Sequence, residues 1–158
     1  DGTRMNPEAV STLLEDRIAP EIGHVLAVMP GGRIESVREG TRLGVRPSEL
    51  VVEAVDHTDG NVYDHPPCLA RLRFEDGRET VWDFRTQLTR KDGSFPPIWD
   101  FFMESIRVPG GPLISTQGGY GTGKSLIRLL LPAGAGGRFE VTLEDLAGNR
   151  SQVTGLVP

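Results

Sequence analysis

Lysine is nearly missing. Of seventeen positive charges in 158 residues, only Lys91 and Lys124 are ammonium groups, and the rest are arginines spread along the chain. No basic run occurs, and the formal charge is −5 with a sequence pI near 5.2. A nucleic-acid surface needs clustered cations, so this balance argues against one. Cysteine is also scarce. Cys68 stands alone, cannot close an internal disulfide, and reads as a small buried apolar residue that says nothing about compartment. No apolar run approaches the ~20 residues of a membrane helix, and no signal peptide is present. The opening "DGTRMNPEA" is polar and lacks an initiator Met, which reads as an excised piece whose targeting information stood upstream.

What the chain has in quantity is punctuation. Twenty glycines and twelve prolines make about one residue in five a breaker of regular structure, too many for a helical bundle. One helix start is visible: Asn6 as cap, Pro7 at the first helical position, and Glu8 at the positive dipole end, before "AVSTLLED". Pro20 prevents its continuation. Beyond it the apolar period becomes two. The segments 24–30, 49–57, 68–75, 79–84, 126–132, 138–145 and 152–157 read as strands. Leu50, Val52 and Ala54 share a face, as do Cys68, Ala70, Leu72 and Phe74, and again Phe139, Val141 and Leu143. Asp76-Gly77 marks a tight hairpin. Residues 96–111 are ambiguous, with apolar Ile98, Phe101, Phe102 and Ile106 compatible with a short helix across a sheet edge. Seven or eight short strands at 8–12-residue spacing predict an all-β, antiparallel sandwich of immunoglobulin-like type with a short N-terminal helix. The domain division is a connector over 1–17, left from a preceding domain, and the sandwich over 18–158.

The stretch "GGYGTGKS" contains a phosphate-loop spelling: Gly118, four residues, Gly123, Lys124 and Ser125. Such a loop requires a buried strand leading in and a helix leading out, whose first amides hold the phosphates. Here "LIRLLL" runs only to Pro132 and reads as a strand. No apolar strand ending in a magnesium-binding Asp follows. The match is therefore read as a glycine-rich hairpin loop, with no NTP cofactor.

A second grouping, Asp56, His57, Asp59, Asp64 and His65 with Cys68 nearby, has the residue types of a metal site. Its spacing fits neither a calcium loop nor a zinc pattern, and a solvated loop between strands is the simpler reading. His24 reads as a strand-end residue. Tyr63 and Trp99 are candidates for stacking on a sugar, whereas Trp82 alternates with core residues and reads as packing. No Ser-His-Asp or Cys-His arrangement can be argued, since no nucleophile and base stand close together in the sequence.

Two stretches carry a resemblance. "FEVTLEDLAGNRS" (139–151) resembles the last hairpin of bacterial immunoglobulin-like domains: Asp145 bonds turn amides, Gly148 takes a left-handed conformation, and Asn149 tolerates one. "EDRIAPEIGHVLAVMP" (15–30) resembles the entry to such a domain, with Asp16, Ala19, Pro20 and Ile22 leading the first strand. "DGTRMNPEAV", with Asn6-Pro7, and the ordered motifs "VVEAVDHTDG", "LRFEDGRETVW", "VPGGPLIS" and "DLAGNRS" are similar to the tail that follows the catalytic domain in LytM/lysostaphin-type zinc peptidases of the bacterial cell wall. The resemblance implies an extracytoplasmic accessory domain, in the periplasm, envelope or secreted. Its partners would be a covalently linked upstream peptidase and peptidoglycan or an envelope protein. It also implies that zinc and the catalytic histidine lie upstream, since the paired His-any-His motif is absent here. The alternative is a carbohydrate- or wall-binding module.

Overall fold

The computed structural model describes residues 16–57, 64–85, 100–116 and 124–158. The predicted helix after Asn6 lies outside them. Among the described residues no helix is long and apolar enough to cross a membrane; this does not bear on β-barrels.

The described residues are all-β. Among them twelve strands run β1 (Glu21–Val28), β2 (Ile34–Val37), β3 (Thr41–Arg42), β4 (Glu49–His57), β5 (Asp64–His65), β6 (Leu69–Phe74), β7 (Glu79–Asp83), β8 (Ser105–Arg107), β9 (Leu113–Ser115), β10 (Ser125–Leu130), β11 (Gly137–Glu144) and β12 (Arg150–Val157). One sheet has the order β10-β4-β1-β2, with β5 also pairing β4; the other has the order β3-β12-β11-β6-β7. All pairings are antiparallel except β3 with β12, which is parallel, so the second sheet is mixed rather than purely antiparallel as the pattern predicts. The exception is local: the chain leaves β2 of the first sheet and reaches the second through only two residues, Thr41 and Arg42.

The two sheets face each other across one core. Val25, Ala27, Leu50, Val52, Ala54, Ile127 and Leu129 come from the first sheet, and Ala70, Leu72, Phe74, Phe139, Val141 and Leu143 from the second. These are the alternate positions of each strand, because successive side chains point to opposite faces. The first sheet is also covered on its outer side. Leu26, Val51 and Leu126 pack there against Ile106, Val108 and Ile114 of the β8–β9 hairpin. The central strand β4 is consequently buried from Glu49 to Asp56.

Of the ambiguous stretch 96–111, the described residues 100–111 form no α-helix. Phe102 bridges Ile127, the Met103 amide donates to the Leu126 carbonyl, and the Arg128 amide donates to the Phe101 carbonyl. Phe101–Met103 thus lines the edge of β10 before the chain turns into the β8–β9 hairpin. Val108-Pro-Gly-Gly-Pro explains the choice, since Gly110 adopts φ +68° and the prolines stop any helix. At the same edge the Trp82 indole donates to the Arg128 carbonyl (2.7 Å) and the Thr80 hydroxyl to the Leu130 carbonyl (2.7 Å). Trp82, Phe84, Phe101 and Phe102 pack together with ring centroids 5.1–5.8 Å apart. The β6–β7 turn at Gly77 (φ +85°) is as the Asp-Gly pair predicts.

One glycine is demanded by packing. Gly155 on β12 lies opposite Phe139, whose ring covers it so closely that a Cβ there would sit 2.5 Å from Phe139 Cζ. Gly155→Val should displace the Phe139 ring from the core and lower stability by about 2–4 kcal/mol. Urea unfolding followed by tryptophan fluorescence measures it; a loss under ~0.5 kcal/mol would show that the ring is not seated there.

Candidate functional site

The best-defined polar cluster sits on the outer face of the first sheet, and it begins with a fault in strand β1. Residues Ile22 and His24 both pair with neighbours on β4, opposite Ala54 and Glu53, so Gly23 is left over as a bulge. A bulge re-aims the side chains beside it. Here it turns His24 onto Glu53, with Nδ1 2.6 Å from Oε2. Because an ionised carboxylate only accepts, the ring nitrogen is the donor. Gly23 has to be glycine: a Cβ would lie 2.6 Å from Glu53 Oε2. The other carboxylate oxygen, Oε1, accepts from Lys124 Nζ at 2.9 Å. Glu53 therefore joins three strands, with His24 from β1 and Lys124 at the start of β10.

The Glu53 side chain is only 6% exposed. Burial pushes its carboxyl upward, but the hydrogen bonds from His24 and Lys124 win and hold it below its ordinary value of 4.5. The bond to Glu53 and its charge raise the Lys124 ammonium above its ordinary 10.5. Four residues along β4 a second buried carboxylate, Glu49, is gripped by the Arg128 guanidinium at 2.8 and 3.2 Å. The two carboxylates flank the small apolar patch that receives the β8–β9 hairpin.

Around Glu53 the surface opens into a cleft of about 570 Å³. It is lined by Glu21, Gly23 and His24 from β1, Glu53, Val55 and His57 from β4, Lys124 just before β10, and Pro112–Ser115. His57 Nε2 lies 3.7 Å from Glu21 Oε2. This arrangement can hold a charged small molecule, and the His24–Glu53 pair fixes which ring nitrogen faces the carboxylate.

The other predicted residues fall elsewhere. Gly118 and Gly123 of the phosphate-loop spelling lie outside the described residues. Lys124 is engaged with Glu53, and Ser125 opens strand β10 with its hydroxyl donating to the Ala54 carbonyl. A strand, not a helix, leaves the motif. Asp59, Tyr63 and Trp99 also lie outside the described residues. Asp64 and His65 are placed by backbone pairing opposite His57 and Asp56. Asp56 is buried (5% exposed), not part of a solvated loop. Its carboxylate meets those of Asp16 and Asp145, the ligand atoms lying within 4.8 Å of one another. Cys68 is buried and its thiol donates to the Glu144 carbonyl; burial pushes it up to about 12, which leaves it unreactive.

The Asp145 turn is organised as its sequence suggests. The Asn149 amide donates to Asp145 Oδ1 (2.8 Å) and its side-chain nitrogen to Oδ2 (2.7 Å). Gly148 alone takes the left-handed conformation, at φ +90°; Asn149 does not. The same Asn149 nitrogen also donates to the Asp16 carbonyl, 133 residues away, at 3.0 Å. Sequence reasoning missed the Glu53 cluster because Glu53 and Lys124 stand 71 residues apart. Gly23 stands just before the apolar run 24–30 and becomes an interior strand glycine, the mark of a bulge, only because β1 begins at Glu21. His24 is mid-strand, not strand-end, because β1 starts three residues earlier than the apolar run.

Comparison with family models, with curated proteins and with solved structures returns no match.

The Glu53 cluster makes stability depend on pH at both extremes. A carboxyl depressed on folding stabilises the fold above its unfolded value, and that contribution disappears as pH falls through the lower folded value. An ammonium raised on folding stabilises below its unfolded value, and the contribution disappears as pH rises through the higher one. The melting temperature should therefore decline below about pH 4.5 and above about pH 10.5. Lys124→Met should flatten the alkaline decline and shift the acid one upward. Thermal melts of both proteins across pH check this, and an unchanged alkaline limb in the variant would contradict it.

Proposed function

We propose that the chain is a non-catalytic, immunoglobulin-like accessory sandwich of an extracytoplasmic peptidoglycan zinc peptidase, and that it positions a catalytic domain joined on its N-terminal side. The fold-level part of this reading rests on two facing sheets and on the Asp145–Asn149 turn, joined to the ordered motifs that resemble such tails. Fold alone does not specify a job.

The observation that carries the positioning role is the Asn149 clamp. One side-chain amide holds its own turn through Asp145 and the incoming chain through the Asp16 carbonyl. The Ile18 amide donates to Asp16 Oδ1 (3.1 Å), closing a small turn just before β1. A chain entering through Asp16 is thereby fixed in place and direction on the sandwich, which is what a rigid junction requires. The nucleophile types nearest to hand serve the fold: Ser125 bonds a backbone carbonyl and the Cys68 thiol is buried. Lys124 neutralises Glu53.

The test is on the full-length native protein. Asn149→Ala should leave zinc content unchanged and slow the clearing of peptidoglycan about fivefold, close to 1 kcal/mol, while cleavage of a short soluble peptide stays at the original rate. A native protein that binds no zinc, or a variant indistinguishable on both substrates, would overturn the reading.

A further inference from the structure

The cleft beside Glu53 has a more specific character than a strand clamp requires. Glu53 is already satisfied twice, by His24 and Lys124. What faces the cleft is the remainder of those partners. Lys124 has three donors and a side chain 54% exposed; one donor is used on Glu53. His24, 41% exposed, has Nδ1 committed to the carboxylate, leaving Nε2 as its other polar atom. The cleft also bears the opposite charge, with Glu21 67% exposed beside His57 and near enough to act on the Lys124 ammonium. Apolar residues line it too: Val55, which pairs with Glu21 in the sheet, and Leu113, 54% exposed although it is a large apolar residue.

An ammonium, apolar side chains and an exposed carboxylate around one cleft are complementary to a small molecule that carries both opposite charges on a short apolar body. We propose that this cleft binds the zwitterionic end of a short peptide or a free amino acid, its carboxylate toward Lys124 and its ammonium toward Glu21. The volume of about 570 Å³ lies within the range of small-molecule sites. Gly23 contributes by leaving bare backbone in the cleft, where any side chain would press on Glu53. The Glu53 carboxylate keeps the Lys124 and His24 side chains apart and aimed, so little ordering is left for the ligand to impose. The site stands on its own residues and does not depend on the accessory role.

The experiment is an NMR titration of the isotopically labelled chain with three probes: alanyl-alanine, N-acetylalanine as the anion alone, and ethylamine as the cation alone. Alanyl-alanine should shift the amides of Gly23, Val55 and Leu113 saturably in the millimolar range and bind about fivefold more tightly than either singly charged probe. Glu21→Gln, an exposed change, should weaken alanyl-alanine about threefold and not weaken N-acetylalanine; Lys124→Met should abolish both. Absence of saturable shifts, equal shifts from all three probes, or indifference of alanyl-alanine to Glu21→Gln would each overturn the assignment. Because Glu21 is 67% exposed and touches the Glu53 cluster only through its charge on Lys124, its variant keeps the test decisive if Lys124→Met disturbs the fold.

Discussion

Strand β4 is covered on both faces, and much of the architecture follows from how its polar groups are accommodated there. Its inward side chains, Leu50, Val52 and Ala54, complete the core between the sheets, while Val51 on the outer face meets the β8–β9 hairpin. A strand buried twice over has no water for its backbone or its charges, so each must find a partner inside the protein. The backbone is answered by β1 on one side and β10 on the other. Glu49 and Glu53 are answered by side chains from those same neighbours. Breaking one such pair leaves an uncompensated buried charge, which costs more than the pair itself contributes. The buried carboxylates thus tie the register of three strands to a few polar contacts.

That constraint also shapes the surface. Glu53 needs room, which the Gly23 bulge supplies; the bulge turns His24 inward, and Lys124 closes the other side. A cleft with an oriented ammonium and imidazole is the by-product. At the Asp56 end of the strand, Asp16 and Asp145 draw near, and Asn149 links the last hairpin to the start of the described chain. Both the candidate binding cleft and the candidate junction therefore grow from the β1–β4 pairing.

The main core was legible because period-two alternation is a local property. Phe139, Val141 and Leu143, and the Asp-Gly and Asp-Ala-Gly-Asn-like turns, can be recognised within a dozen residues. The β8–β9 hairpin was not, because "SIR" and "LIS" each span one strand residue too few to show a period, and the aromatic pair before them suits a helix equally well. Strands β2, β3 and β5 are likewise too short to register. The alternation on β4 was legible, but "ELVVEAVDH" reads as a half-buried strand until the second cover is known, so the burial of Glu49 and Glu53 was invisible. Asp56 illustrates the same limit: its neighbours in sequence suggest a loop cluster, whereas its carboxylate meets residues 40 and 89 positions away.

The most direct test of this account is native-state amide hydrogen exchange in strand β4. Amides that open only when the whole protein unfolds exchange with the free energy of global unfolding. The two-sided cover predicts that Val51, Val52 and Glu53 exchange at that limit, matching the value from urea unfolding. Exchange of these amides through smaller, local openings, faster than that of β11, would contradict the buried middle layer on which the rest of the account stands.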